Sequence, residues 1–178
     1  MRTHEAGFSL ILGLCCACFA AEQTPPAITT LTIKNMVSNT DFHLKNLNKS
    51  SAVLQTGTDR GGKLIIYRKG SDVIRVDAIV EGSNSGLHDV FYYSGENLVF
   101  VRTKTVIYPF SSTSGGFDFA NPHVKARGDY YVREGKLIPI RHAETTPSLA
   151  SRLLQESTIV IRAIRDGKQT VDIERLLR

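Results

Sequence analysis

The sequence predicts an α+β fold: an antiparallel meander of about six strands, with N-terminal helical segments and a C-terminal helix packed on the sheet. Three observations carry that expectation. Between residues 61 and 105, runs rich in Val, Ile, Leu and Tyr alternate with short turns holding Gly, Asn, Asp or Ser. Beyond Pro147, the residues Leu149, Leu153, Leu154, Val160, Ile161 and Ile164 recur at helical intervals. Finally, the pattern polar-Leu-apolar-x-apolar-Arg occurs at 63–68, 97–102 and 136–141, each time after a Gly-containing turn. It reads as the outgoing strand of a hairpin, with Leu64, Leu98 or Leu137 inward and an Arg at the far rim. The unequal spacing of these leucines points to recurring hairpin chemistry, since a solenoid or propeller would keep its period better.

The chain opens on a segment that the working protein is expected to lose. Residues 1–5 are polar with one basic side chain, Arg2, and residues 6–19 are almost unbroken in small and apolar types. Ala20 and Ala21 then precede a polar stretch. This is the three-part layout of a secretory signal peptide, residues 1–20, with the cut after Ala20 or Ala21. The apolar run falls short of the roughly 20 residues a helix needs to cross a bilayer. All three cysteines, Cys15, Cys16 and Cys18, lie within it. With the cut after Ala20 the mature chain has no cysteine, and therefore neither disulfide nor thiol chemistry. A periplasmic or secreted location is expected. The alternative is a lipoprotein anchored through a lipidated Cys18, the one route by which membrane attachment is expected.

Residues 21–27 read as a flexible leader, since Pro25 and Pro26 fix the backbone and offer no amide donors. Residues 28–178 form a single α+β domain in this reading. Ile28, Leu31, Met36 and Val37 approach helical spacing, and Thr40 and Asp41 offer a cap for a second short helix carrying Phe42, Leu44 and Leu47. Strands are expected at 63–68, 73–80, 90–93 and 98–105; in the second, Ile74, Val76, Ala78 and Val80 alternate with Arg75 and Asp77. Residues 111–128 read as one long loop, uncommon without structure of its own and often functional. Thr146 and Pro147 are a favoured cap and first helical residue. Asp166 and Gly167 end that helix, and 171–177 reads as a short terminal one. The rival is a last hairpin of 158–164 and 170–176, because Ile159, Val160 and Ile161 are strongly β-forming.

Composition narrows the function classes only a little. The chain has 178 residues, 22 Lys and Arg against 17 Asp and Glu, and a net charge of +5. The cationic side chains are scattered singly along the sequence, which favours a solvated surface, and an exported protein is not expected to meet nucleic acid. No catalytic residues emerge. The Gly82 to Gly86 stretch resembles a serine elbow, but Asn84 stands at its centre. His43, His88, His123 and His142 share no short spacing that places two ligands on one helix face, so neither metal nor cofactor is expected.

Aromatic strands are more suggestive. Ile65, Tyr67, Phe91, Tyr93, Val99 and Val101 are expected on the face opposite Leu64 and Leu98, and a sheet apolar on both faces must cover both. Tyr67, Phe91, Tyr93, Phe117 and His123 are the candidate ligand-binding residues. The expected function is a non-catalytic binding module of the bacterial envelope, engaging a protein, lipid or polymer. The alternative is a hydrolase using the 111–128 loop with His123 or His142. His88, His123 and His142 are expected to lie apart, without a common carboxylate or serine partner.

Overall fold

A computed structural model describes residues 29–113, 115–140 and 143–177. The signal segment with its three cysteines, the leader and His142 lie outside the described residues. In chain order the elements are α1 (Thr30–Phe42), β1 (Asn48–Gln55), β2 (Gly62–Lys69), β3 (Asp72–Glu81), β4 (Ser85–Ser94) and β5 (Asn97–Ile107). They continue with β6 (Phe110–Ser111), β7 (Gly116–Phe117), β8 (His123–Arg133), β9 (Lys136–Ile140), α2 (Pro147–Arg165), β10 (Thr170–Asp172) and α3 (Glu174–Leu177). A single 3-10 turn, Leu44–Asn46, follows α1.

The α+β class stands, but the sheet is larger and less uniform than the sequence suggests. It has eight strands in the order β10-β1-β2-β3-β4-β5-β8-β9, and β6 pairs with β7 in a separate ribbon. The meander is antiparallel throughout, whereas β10 lies parallel to β1. Two short segments account for the difference. In β1 only Ala52 and Leu54 are buried, so the polar run from Asn48 to Ser51 carries no readable alternation. In β10 only Val171 is buried, and pairing holds it: Val53 N donates to Gln169 O at 2.9 Å and Ile173 N to Gln55 O at 3.0 Å. The terminal helix is thereby reduced to residues 174–177. The long loop shrinks as well, because β8 already begins at His123 and β6 and β7 occupy part of the remainder.

Where local chemistry is strong, expectation and structure agree. Thr146 caps α2, its hydroxyl accepting from Leu149 N at 3.2 Å, and Pro147 opens the helix. The helix takes Ile159, Val160 and Ile161 despite their β preference: Val160 is fully buried on the sheet while Ile159 is exposed. Burial of one stripe overrides the local propensity. Gly70 and Gly95, at φ +63° and +59°, supply the left-handed corners of the β2–β3 and β4–β5 hairpins.

The main core lies between α2 and one sheet face. It joins Leu54, Leu64, Val76, Ala78, Phe91, Tyr93, Val101 and Tyr130 to Leu153, Val160 and Ile164. Leu64 and Leu137 are buried and Leu98 is partly buried against the same core, as the recurring hairpin pattern requires. Ile65, Tyr67 and Val99 lie on the face opposite Leu64 as expected, but the other three residues do not. Phe91, Tyr93 and Val101 share the face of Leu64, because Leu64 pairs with Ala78 and Ala78 with Asp89, which fixes the odd positions of β4 to that side. A bulge between Tyr92 and Tyr93 shifts the phase again near the turn. Leu64→Ala is expected to cost about 2–5 kcal/mol, measured by urea denaturation, and Leu98→Ala clearly less. Equal losses would contradict this packing.

Candidate functional site

The described residues cover the opposite face of the sheet only in part, and its rows can be read from the register. The row Lys49–Tyr67–Arg75–Tyr92–Phe100–Tyr131–Ile138 is largely aromatic. Helix α1 lies on this side and buries Ile33 and Val37 with Val90, Tyr92, Val99 and Phe100 in a small second core. The next row is Ser51–Ile65–Asp77–Val90–Arg102–Asp129–Ile140, and beyond it comes Val53–Lys63–Ile79–His88–Lys104–Arg127.

A polar network ties the end of α1 to this face. Asp41 accepts from Arg75 Nη1 and from the Tyr92 hydroxyl at 2.6 Å each, and its other oxygen accepts from Arg102 Nη1 at 3.1 Å. Arg75 also forks onto Asp77 at 2.6 and 3.0 Å, and Arg102 Nε donates to Asp129 at 3.1 Å. Burial, reinforced by the hydrogen bond to Asp41, raises the Tyr92 pKa above the ordinary phenol range, so the hydroxyl is a neutral donor. Burial alone would raise Asp77, but contacts with His88 and Arg75 outweigh it and hold this carboxyl below its ordinary range. Every carboxylate here is thus answered by a guanidinium. The network anchors a helix, and with its charges committed it offers no free acid–base pair.

The row beyond it is different. Lys104 lies directly opposite Arg127 on β8 and opposite His88 on β4. Like charges facing each other across a ladder destabilise it. Among the described residues neither Lys104 nor Arg127 has an ion-pair partner, since Arg102 takes both nearby carboxylates, Asp41 and Asp129. Strand β9 ends at Ile140 opposite Asp129, and there the surface opens into a cleft of about 590 Å³. Arg102, Lys104, Arg127, Asp129 and Ile140 line it, together with Thr103 and Gly128. Three cations and one carboxylate, already paired, leave a net positive cleft suited to an anionic group. No family model, curated protein or solved structure matches this chain. The functional reading therefore rests on this geometry.

The five residues singled out from the sequence are not brought together. Phe91 and Tyr93 are buried in the core under α2, and the Tyr93 hydroxyl donates to Ser157 O at 3.3 Å. Tyr67 is buried on the other face with the Arg75 guanidinium over its ring, 5.5 Å from the centroid. Phe117 sits on β7, and His123 opens β8 opposite Ile107, at the sheet end beyond the cationic row. His88 Nε2 faces Asp77 at 3.7 Å, outside hydrogen-bonding range. His88 and His123 are thus apart, and among the described residues no three His, Cys, Asp or Glu side chains converge as a metal site. Sequence reasoning missed Lys104 and Arg127, whose juxtaposition is created by register alone.

A second charged cluster is sealed beneath α2. Arg152 Nη1 donates to Asp89 at 2.7 Å and to Glu156 Oε2 at 2.9 Å, and the Thr103 hydroxyl donates to the other Asp89 oxygen. Both carboxylates are at most 2% exposed. Burial, with the nearby Asp89 charge, pushes Glu156 up to about 8, against a smaller opposing pull from Arg152. With both carboxylates buried between α2 and the sheet and answered by Arg152, the cluster is part of the α2–sheet contact.

Proposed function

We propose that this protein is a non-catalytic binding module of the bacterial envelope, and that it holds an anionic group of its ligand in the cleft beside Lys104 and Arg127. The observation that carries the reading is the cross-strand alignment of His88, Lys104 and Arg127 on the sheet face that the described residues leave open beyond α1. Such an arrangement costs folding free energy, and a bound anion relieves it. The signal-peptide pattern of residues 1–20 supports an exported location. The commitment of Asp41, Asp77 and Asp129 to arginines supports binding over catalysis, because an enzyme needs titratable groups free to exchange protons.

Titration with inorganic polyphosphate, followed by calorimetry at low and high salt, tests this. The parent chain is expected to bind, with affinity falling as salt rises. Lys104→Ala with Arg127→Ala should weaken binding at least about tenfold, on the scale of roughly 1 kcal/mol per cation at an anionic surface. Lys34→Ala with Lys45→Ala removes the same charge from exposed positions on and after α1, and should change little. Equal losses for the two pairs would reduce the effect to net charge and sink the site. The first pair should also leave the thermal midpoint unchanged or higher, since it removes a like-charge contact.

A further inference from the structure

We infer that the anion is presented by an anionic phospholipid surface, engaged by the cationic row while an aromatic hairpin beside it enters the lipid interface. This rests on the anion-binding reading above and adds the class of partner. The hairpin is formed by β6 and β7, where Phe110 and Phe117 are cross-strand partners with ring centroids 5.8 Å apart, edge to face. Phe110 is 64% exposed, Phe117 36% and Phe119 41%. Ile107 and Val124, at the same end of β5 and β8, are also exposed. Apolar residues exposed one at a time are ordinary on a protein surface, but five gathered at one end of a sheet mark a contact.

These side chains are held outward by a built scaffold. Asp118 N donates to Pro109 O at 2.8 Å and Gly115 N to Ser111 O at 2.9 Å. The Asp118 carboxylate accepts from the backbone of Ala120 at 3.0 Å and from the Asn121 side chain at 2.8 Å, fixing the turn that follows. Phe119 is braced between Tyr108, 4.8 Å away, and the Arg60 guanidinium, 3.7 Å from its ring centroid. The tip therefore presents its rings without collapsing onto the core.

Charge decides the occupant. Lys104 and Arg127 lie on the two strands that lead to the tip, and Lys125 falls where the β5–β8 register shifts. Aromatic rings beside a band of cations match the boundary of a bilayer, where rings sit among acyl chains and glycerol while Lys and Arg meet phosphates. A peptide partner of acidic chemistry would answer the cations but leave the rings exposed. Among the described residues no helix is long and apolar enough to cross a membrane. The contact inferred is peripheral, and it needs no lipid on Cys18.

The test is cosedimentation of residues 21–178 with vesicles of phosphatidylcholine alone or with a minority of phosphatidylglycerol, alongside the polyphosphate titration. The parent chain should pellet with phosphatidylglycerol vesicles and stay in solution with phosphatidylcholine. Phe110→Ser with Phe117→Ser, at exposed positions, should lower partitioning roughly tenfold while leaving polyphosphate binding and the circular dichroism spectrum unchanged. Lys104→Ala with Arg127→Ala should lose both kinds of binding. Polyphosphate binding without vesicle binding, equal binding to both vesicle types, or full vesicle binding by the phenylalanine variant would each overturn the lipid inference and leave the anion site standing. Failure to bind either probe would overturn both.

Discussion

Replacing Arg152 with Met is expected to cost about 3–5 kcal/mol of folding stability, the largest loss of any single change considered. The guanidinium is the one cation between two carboxylates that are almost wholly buried, Asp89 and Glu156. Met keeps most of the side-chain volume, so the loss reports uncompensated charge more than a cavity. Asp89 keeps the Thr103 hydroxyl, and below about pH 8 Glu156 already holds a proton, so the charge left without its cation is that of Asp89. Above about pH 8, where the parent's Glu156 is ionised as well, the deficit should grow. Adding Glu156→Gln should remove that growth, since the amide cannot ionise. Urea denaturation of the single and double variants at two pH values checks this. A variant as stable as the parent would show that the triad contributes nothing to the α2–sheet contact.

The second large effect is a fall in stability with rising pH that belongs to Glu156. Its carboxyl sits at about 8 in the folded chain against an ordinary 4.5. Between those values the folded protein holds a proton that the unfolded chain has released, so the contribution is complete below about 4.5 and is lost as pH rises to about 8. The slope within the window is of order 1.4 kcal/mol per pH unit, or a few kcal/mol in all. The groups facing this carboxyl are Asp89 and Arg152, with Tyr93 near enough to feel its charge. Glu156→Gln should flatten the profile and become more stable than the parent toward pH 8. Parallel profiles for the two proteins would reject the assignment.

Much of the fold was legible because local physics left its marks. Alternation placed β2 and β3, glycine turns placed the hairpins, and Thr146 with Pro147 placed α2. The parts that were not legible depend on distant pairing. Nothing in the polar run of β1 announces a strand, and β10 exists because β1 offers it an edge. The candidate site was hidden for a related reason. His88, Lys104 and Arg127 look like scattered polar residues in the chain, and only the register aligns them. The buried triad did leave a signal that was overlooked: Arg152 and Glu156 are four residues apart, on the same helical stripe as Leu149, Leu153, Val160 and Ala163. Phe91 and Tyr93 misled because an aromatic strand residue reads the same whether it faces a helix or a ligand.

The parallel pairing of β10 with β1 orders events in time. Strand β1 is joined to β2 by a short connection, yet its outer edge is met only by Thr170 to Asp172, with the entire meander and α2 between. Contacts so distant in sequence close late and slowly. Until they do, Val53 and its neighbours present an open strand edge, which is the part of a sheet most prone to pair with another chain. The edge of Val53 to Gln55 is therefore covered only once the last strand of the described chain is in place.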